Sequence, residues 1–489
     1  MLVHEYRCAS CGIIEISQEP AGHAPKRCPH CEGEISELAS NSSWNIPLLI
    51  VIVIACLTRF IGLETSPPGF FLDESAHATN AICIMETGRD ASGVTMPLFA
   101  KSIGDFTPPT LLYTEALWAR FFGTSIASFR SVAAVFNVLT IFGLFLLARS
   151  FFGTQAGLFA ALAGAISPWS FQFSRIAWDP ALAPCFLVFG VYFFFKSDKL
   201  IDALLSGIAL SLAIYSYAPE RAQVPLLLLV MIPVRKSLFG LNIKWLSVVA
   251  ITMAVTLAPL AYGVLFGSLQ VRFSAISVFN ATSSYAAALG LFVLNFLRYF
   301  SLTFLFLSGD DNLRHSSGFA GEWDWLDIFV VFSGLFISWW SALDDKPRRR
   351  IRGFKILVLF SLAGYAFGIV PAALTNDGIP HALRAIGCWP FLALLVGLIL
   401  WRLARFQRHF IPAALAVSVI FFAFYSWDYF TNYPKKTGSL FNVEIKNYAE
   451  VARRTGNWDQ FRKAFPSRLD LSRRYFSLVY GGQSCDRSR

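Results

Sequence analysis

Trp44–Leu63 reads WNIPLLIVIVIACLTRFIGL, twenty residues carrying a single charge. A helix rises 1.5 Å per residue, so roughly twenty apolar residues cross a hydrocarbon layer about 30 Å thick with every backbone polar group paired inside the helix. The same pattern recurs along the chain. Further spans are expected near 125–147, 155–173, 180–195, 201–217, 222–234, 245–266, 325–342, 356–374, 386–401 and 411–427, about eleven in all. With 55% hydrophobic and 15% charged residues, and a mean hydropathy of +0.54, an ordinary soluble protein is excluded. The expected fold class is an all-α polytopic membrane protein: a small domain at 1–40, a multi-pass body at 44–430 and a short polar tail at 431–489.

A net charge of +10 would suit nucleic acid, but the basic residues fall in short segments between spans, where membrane orientation already requires them. The bilayer, not nucleic acid, is the expected partner. With the amino terminus in the cytoplasm, the inner loops hold Arg149, then Lys196 and Lys199, then Arg235, Lys236 and Lys244, then the block Lys346–Lys355, then Arg402, Arg405 and Arg408. The short outer turns hold one arginine each, Arg175, Arg221 and Arg384. This bias fits a cell (inner) membrane location with the amino terminus inside, and an odd span count puts the carboxyl terminus outside. The first forty residues are polar and precede the first apolar run, so that run reads as an uncleaved anchor. Two long outer segments, 64–124 and about 267–324, carry semi-apolar stretches that suit helices lying along the interface. The tail after Asn432 is weakly patterned and yields no firm fold.

Cys8-Ala-Ser-Cys11 and Cys28-Pro-His-Cys31, sixteen residues apart, let two tight knuckles present four thiolates to one zinc ion. A reducing cytoplasm keeps such thiols available. Four thiolates fill a tetrahedral shell, so the metal would be structural, and His23 and His30 stand by; unliganded or disulfide-paired cysteines are the alternative. Cys56, Cys83, Cys185, Cys388 and Cys485 are scattered, and the three within spans are expected simply to pack.

Just after the first span comes Pro67-Pro68-Gly69-Phe70-Phe71-Leu72-Asp73-Glu74-Ser75-Ala76-His77. Adjacent carboxylates at the start of a helix suit a general base at the membrane surface. They equally suit a helix start, with Asp73 as the cap and Glu74 favouring the first turn. Asp105 precedes Phe106-Thr107-Pro108-Pro109, Arg130 follows, and Ser174-Arg175 precedes Trp178-Asp179-Pro180. Tyr215-Ser216-Tyr217 precedes Glu220-Arg221, and two later outer runs hold Asp310, Arg314 and His315, then Asp377, His381 and Arg384. A lone arginine at a span end commonly snorkels, but the positive-inside bias disfavours it on this side. Repeated arginines there point to an anion at the outer interface, and a phosphate matches the guanidinium fork.

These residues carry a resemblance. The Asp73-Glu74 pair in a long first outer loop, Thr107-Pro108-Pro109, the run Phe122-Gly123-Thr124 to Arg130, and Ala148-Arg149-Ser150-Phe151-Phe152-Gly153 together resemble the GT-C glycosyltransferases, in their protein O-mannosyltransferase and aminoarabinose transferase-like branch. Ser308-Gly309-Asp310 and Pro380-His381-Ala382-Leu383-Arg384 look like later loop elements of that branch, and the likeness covers about Trp44 to Pro434. It implies inverting transfer of a sugar from a polyprenyl-phosphate donor to a protein, lipid or glycan acceptor, with Asp73 as base and Glu74 orienting the site. Arg175, Arg221 and Arg384 would bind the donor phosphate, with His77, Asp105, Tyr217, Asp310 and His381 near the substrate. Two departures stand out: Thr107 occupies a position where many relatives have histidine, and the Cys8–Cys31 ribbon is not a general family feature. Oligosaccharyltransferases of the same superfamily use a divalent ion and a Trp-Trp-Asp motif; Trp339-Trp340 falls near the inner end of a span, so no catalytic metal is expected. A transporter or flippase of a lipid-linked anion is the main alternative, opposed by the absence of matching half-repeats. A scaffold anchored by its spans is a third, opposed by their number.

Overall fold

The computed structural model describes residues 4–8, 14–17, 35–37, 45–104, 106–240, 242–266, 275–324, 327, 330, 332–333, 349–404, 410–465 and 469–485. Asp105, Cys11, Cys28, Cys31 and Trp339-Trp340 lie outside them. At the amino terminus β1 (His4–Cys8) pairs antiparallel with both β2 (Ile14–Ser17) and β3 (Ile35–Glu37).

The body is helical. α1 (Asn45–Phe60) is followed by an outer helix, α2 (Leu72–Thr87), a two-strand hairpin of β4 (Ala100–Lys101) with β5 (Phe106–Thr107), and α3 (Pro109–Phe122). Then come α4 (Ile126–Phe152), α5 (Thr154–Ile166), the short α6 (Pro168–Phe173), α7 (Ala183–Lys196), α8 (Leu200–Ser216), α9 (Glu220–Phe239) and α10 (Ile243–Phe266). After α11 (Tyr285–Arg298) follow α12 (Arg349–Ala373), α13 (Trp389–Leu403) and α14 (Phe410–Thr431). Among the described residues, seven helical segments are long and apolar enough to cross a membrane, and three shorter apolar helices match α1, α5 and α8. α9 contains Pro225 and Pro233, which membrane helices tolerate where neighbours re-pair the freed carbonyls.

Small residues let the central helices approach closely. A side chain on Gly397 of α13 would fall 2.5 Å from the Ala160 backbone of α5, and one on Gly157 would fall 2.7 Å from the Phe145 carbonyl of α4. Between membrane helices, where lipid is as apolar as leucine, this backbone proximity is the main source of packing energy. The expected span at 325–342 falls mostly outside the described residues.

Two segments differ from their reading in the sequence. Residues 285–307, read as an outer segment, have the length and hydropathy of a candidate span. Ser277 bridges to Thr375, and Asn295 Nδ2 donates to the Thr375 carbonyl at 3.0 Å, so both ends of 277–295 meet the same residue. The tail, for which the sequence yields no firm fold, forms α15 (Tyr433–Thr437), α16 (Val443–Thr455), α17 (Trp458–Ala464) and α18 (Asp470–Gly481). Ile445, Ala449, Phe461, Tyr475 and Phe476 form one apolar cluster with Phe70, Ala78 and Ile82 of the first loop and α2. Cys83 of α2 is disulfide-bonded to Cys485, 402 residues away. The tail is weakly patterned because its apolar face is completed only by α2.

Candidate active site

Glu74, the third residue of α2, is completely buried. Its carboxylate accepts from Arg130 Nε and Nη2, each at 2.8 Å, and from the backbone N–H groups of Phe71 and Ala177, each at 3.0 Å. Arg130, on the first turns of α4, spends its remaining donors on the carbonyls of Leu63, Pro67 and Gly69 at 2.9, 2.7 and 3.0 Å. A bidentate pair of this kind is strong only because every lone pair and proton is satisfied. The first loop is thus clamped onto α2 and α4, and Glu74 has no free oxygen lone pair facing the cleft. Gly69 sits at φ +67°, and a side chain there would meet the Phe441 carbonyl at 2.3 Å, so the loop and tail touch at a residue that only glycine suits.

Asp73, one position earlier, is partly buried. It lies one helical turn from His77, whose charge state it influences, and it acts likewise on Arg314. Arg314 stacks its guanidinium 4.4 Å from the Phe71 ring. His77 Nδ1 meets Thr107 Oγ1 at 2.7 Å, and its Nε2 meets the carboxylate of Asp179. Burial pushes the His77 imidazole down, but the charge and hydrogen bond of Asp179, aided by Glu115 and Asp73, raise it to about 9. His77 is therefore a cation at neutral pH. Glu115 of α3 is completely buried with neither oxygen hydrogen-bonded. Burial raises its carboxyl well above the ordinary range; His77 opposes this, and Asp179 and Glu74 add to it.

A second group adjoins through Trp178, whose ring lies 5.5 Å from both Phe71 and His315. Asp310 accepts from Asn312 N, Ala382 N and His315 Nδ1, each at 2.8 Å. Burial lowers the His315 imidazole, Asp310 opposes this, and Arg314 and Arg384 add to it. Glu322, held up mainly by burial and then by Asp310, accepts from Asp310 N at 3.1 Å. The His381 ring lies 4.4 Å from that of His315. Arg384 is tied to Asp377 and Thr375 at 2.9 Å.

Arg175 does not fit a phosphate-binding role. It is completely buried, and its guanidinium donates to the carbonyls of Ser66, Thr58, Arg59 and Ile61 between 2.7 and 3.1 Å, leaving no donor for a ligand. The Thr58 and Arg59 carbonyls lie in the last turn of α1 and lack partners within the helix, a demand that local sequence does not display. Burial lowers Arg175 to about 10. Arg221 is partly buried and lies over Phe99, beside β4. Tyr217 packs against the main apolar core at the end of α8. Sequence reasoning left Arg130, Asp179, Glu115 and Arg314 without a site role, though Arg314-His315 stood within a run already marked by its density of polar residues.

Residues 107–262 match the family model described as dolichyl-phosphate-mannose-protein mannosyltransferase. No protein of curated function matches the chain in sequence. Among solved structures, the apo oligosaccharyltransferase of Archaeoglobus fulgidus is similar with a TM-score of 0.51 and 14% identity, over 89% of this chain and 60% of its own. The same enzyme tethered to an acceptor peptide containing the NVT sequon gives 0.50 and 15%, over 86% and 58%. The chain shares the fold of this archaeal oligosaccharyltransferase. ArnT from Cupriavidus metallidurans, bound to undecaprenyl phosphate, scores 0.49 at 14% identity, over 90% of this chain and 76% of its own. The family-matched stretch holds Thr107, Glu115, Arg130, Arg175, Asp179 and Arg221, whereas Asp73, Glu74, Asp310 and His381 fall outside it.

Proposed function

We propose that the chain is an integral membrane glycosyltransferase that moves a sugar from a polyprenyl-phosphate donor to an extracytoplasmic acceptor with inversion. The observation that carries this reading is the position of Asp73: partly exposed on the first turn of α2, held there by the Glu74–Arg130 clamp, and flanked by the cationic His77 and Arg314. The matched family is named for a dolichyl-phosphate-linked mannose, which supports the donor class. The Archaeoglobus oligosaccharyltransferase tethered to a peptide supports a peptide among the acceptors, beside lipid and glycan.

In this reading the acceptor hydroxyl gives its proton to the Asp73 carboxylate as its oxygen attacks the anomeric carbon. The bond from that carbon to the phosphate oxygen breaks on the opposite face, and its electron pair leaves with polyprenyl phosphate. Arg314, Arg221 and Arg384 would meet the growing phosphate charge. The Cys83–Cys485 bond supports an oxidising compartment for this side. The Cys8, Cys11, Cys28 and Cys31 set would then hold structural zinc on the reducing side, Cys8 being the last residue of β1.

Asp73→Asn tests the reading: with the protein at wild-type level in membranes, sugar transfer should fall by orders of magnitude and the lipid-linked sugar should accumulate. Undiminished transfer would sink the assignment of the base. A transporter of the same lipid would keep its activity in this variant.

A further inference from the structure

Among the described residues, one group of acidic and histidine side chains brings three ligand atoms within 4.8 Å of one another: Asp310, His315 and His381. We infer that these three hold a divalent transition-metal ion of the zinc class, which staples the outer loop 308–324 to the loop 375–385. The inference stands independently of the transfer reading.

The geometry suits an ion. Some point lies within about 2.8 Å of three atoms so spaced, and zinc ligands settle at about 2.0–2.2 Å, so side-chain shifts of well under 1 Å complete the shell. Asp310 and His315 are each almost fully buried, and His381 is partly exposed. The carboxylate is oriented by amides from both loops, Asn312 N on one oxygen and Ala382 N on the other. Orientation of a ligating carboxylate by such outer contacts is what a metal shell requires. The loop behind it is tightly built: a side chain at Gly309 would lie 2.9 Å from Ser316 Cβ and 3.0 Å from Glu322 Oε1.

The hydrogen bond from His315 Nδ1 to Asp310 Oδ2 accounts for two of the three residues. It does not involve His381, which comes from another loop and whose ring lies 4.4 Å from that of His315. Two imidazoles and one carboxylate are a zinc-type ligand set that leaves one coordination position open. His381 is the partly exposed member, and water or a phosphate-class oxygen would fill that position.

The test is elemental analysis of the full-length protein, purified without chelator, beside His381→Gln and the double variant His315→Gln/His381→Gln. Wild type should carry one more equivalent of zinc-class metal per chain than the double variant, whatever the amino-terminal cysteines bind. Cobalt substitution provides a second readout: the difference spectrum between wild type and variant should show visible d–d bands without sulfur charge transfer. Chelator should lower the thermal midpoint of wild type more than that of His381→Gln, a substitution at a partly exposed position. Equal metal content, or chelator shifts of the same size in both proteins, overturns the assignment.

Discussion

His77 carries the pH dependence expected at the scale of single residues. Its folded pKa of about 9 lies above the ordinary 6.5, so the stability it contributes is fully present below about pH 6.5 and is lost as pH rises through about 9, on the order of 3 kcal/mol if fully realised. Thermal midpoints in detergent from pH 6 to pH 10 should therefore fall more steeply for wild type than for His77→Gln, and parallel profiles would refute the His77–Asp179 pairing. Glu115 behaves oppositely. Its carboxyl is kept neutral by burial, so Glu115→Gln, which matches shape without charge, should shift stability by less than about 1 kcal/mol, while Glu115→Lys should prevent accumulation of folded protein. Asp73 and Glu74 were legible together as adjacent carboxylates at a helix start, but their division of labour was not. It depends on Arg130, 56 residues away, which engages Glu74 and leaves Asp73 partly exposed.

At the level of elements, the first outer loop is secured twice. Removing one partner of the buried Glu74–Arg130 pair strands a charge among carbonyls and apolar rings, a loss of about 3–5 kcal/mol. Arg130→Met should accordingly lower the thermal midpoint sharply, and Glu74→Gln less so; a variant as stable as wild type would contradict the clamp. The second fastening is Cys83–Cys485. Cys83→Ser should abolish the mobility shift between reduced and oxidised protein, and should cost about 2–5 kcal/mol, with α16–α18 becoming the first segments cleaved by added protease. Resistance unchanged from wild type would mean that the apolar cluster alone holds the tail.

For the whole molecule the question is which faces share a compartment. Ser439, exposed on the tail, and Lys244, exposed at the start of α10, should report opposite sides. A thiol at Ser439→Cys should react with an impermeant maleimide in intact cells, and one at Lys244→Cys only after lysis; the reverse result would invert the orientation and remove the outer-face reading of Asp73.

The sequence by itself determined that this chain lives in lipid and roughly where its helices run, because length, hydropathy and charge bias are local properties written within each twenty-residue window. It also pointed to Asp73, Glu74, Asp310 and His381, since polar residues crowded beside spans stand out against apolar surroundings. Tertiary structure alone decided that Arg175 caps α1, that Asn295 is tied to Thr375, that the tail folds on α2 through a distant disulfide, and that His315 joins His381. Each of these turns on a partner tens to hundreds of residues away, and a buried donor, carbonyl or thiol carries no sign in its own neighbourhood of which distant group will satisfy it.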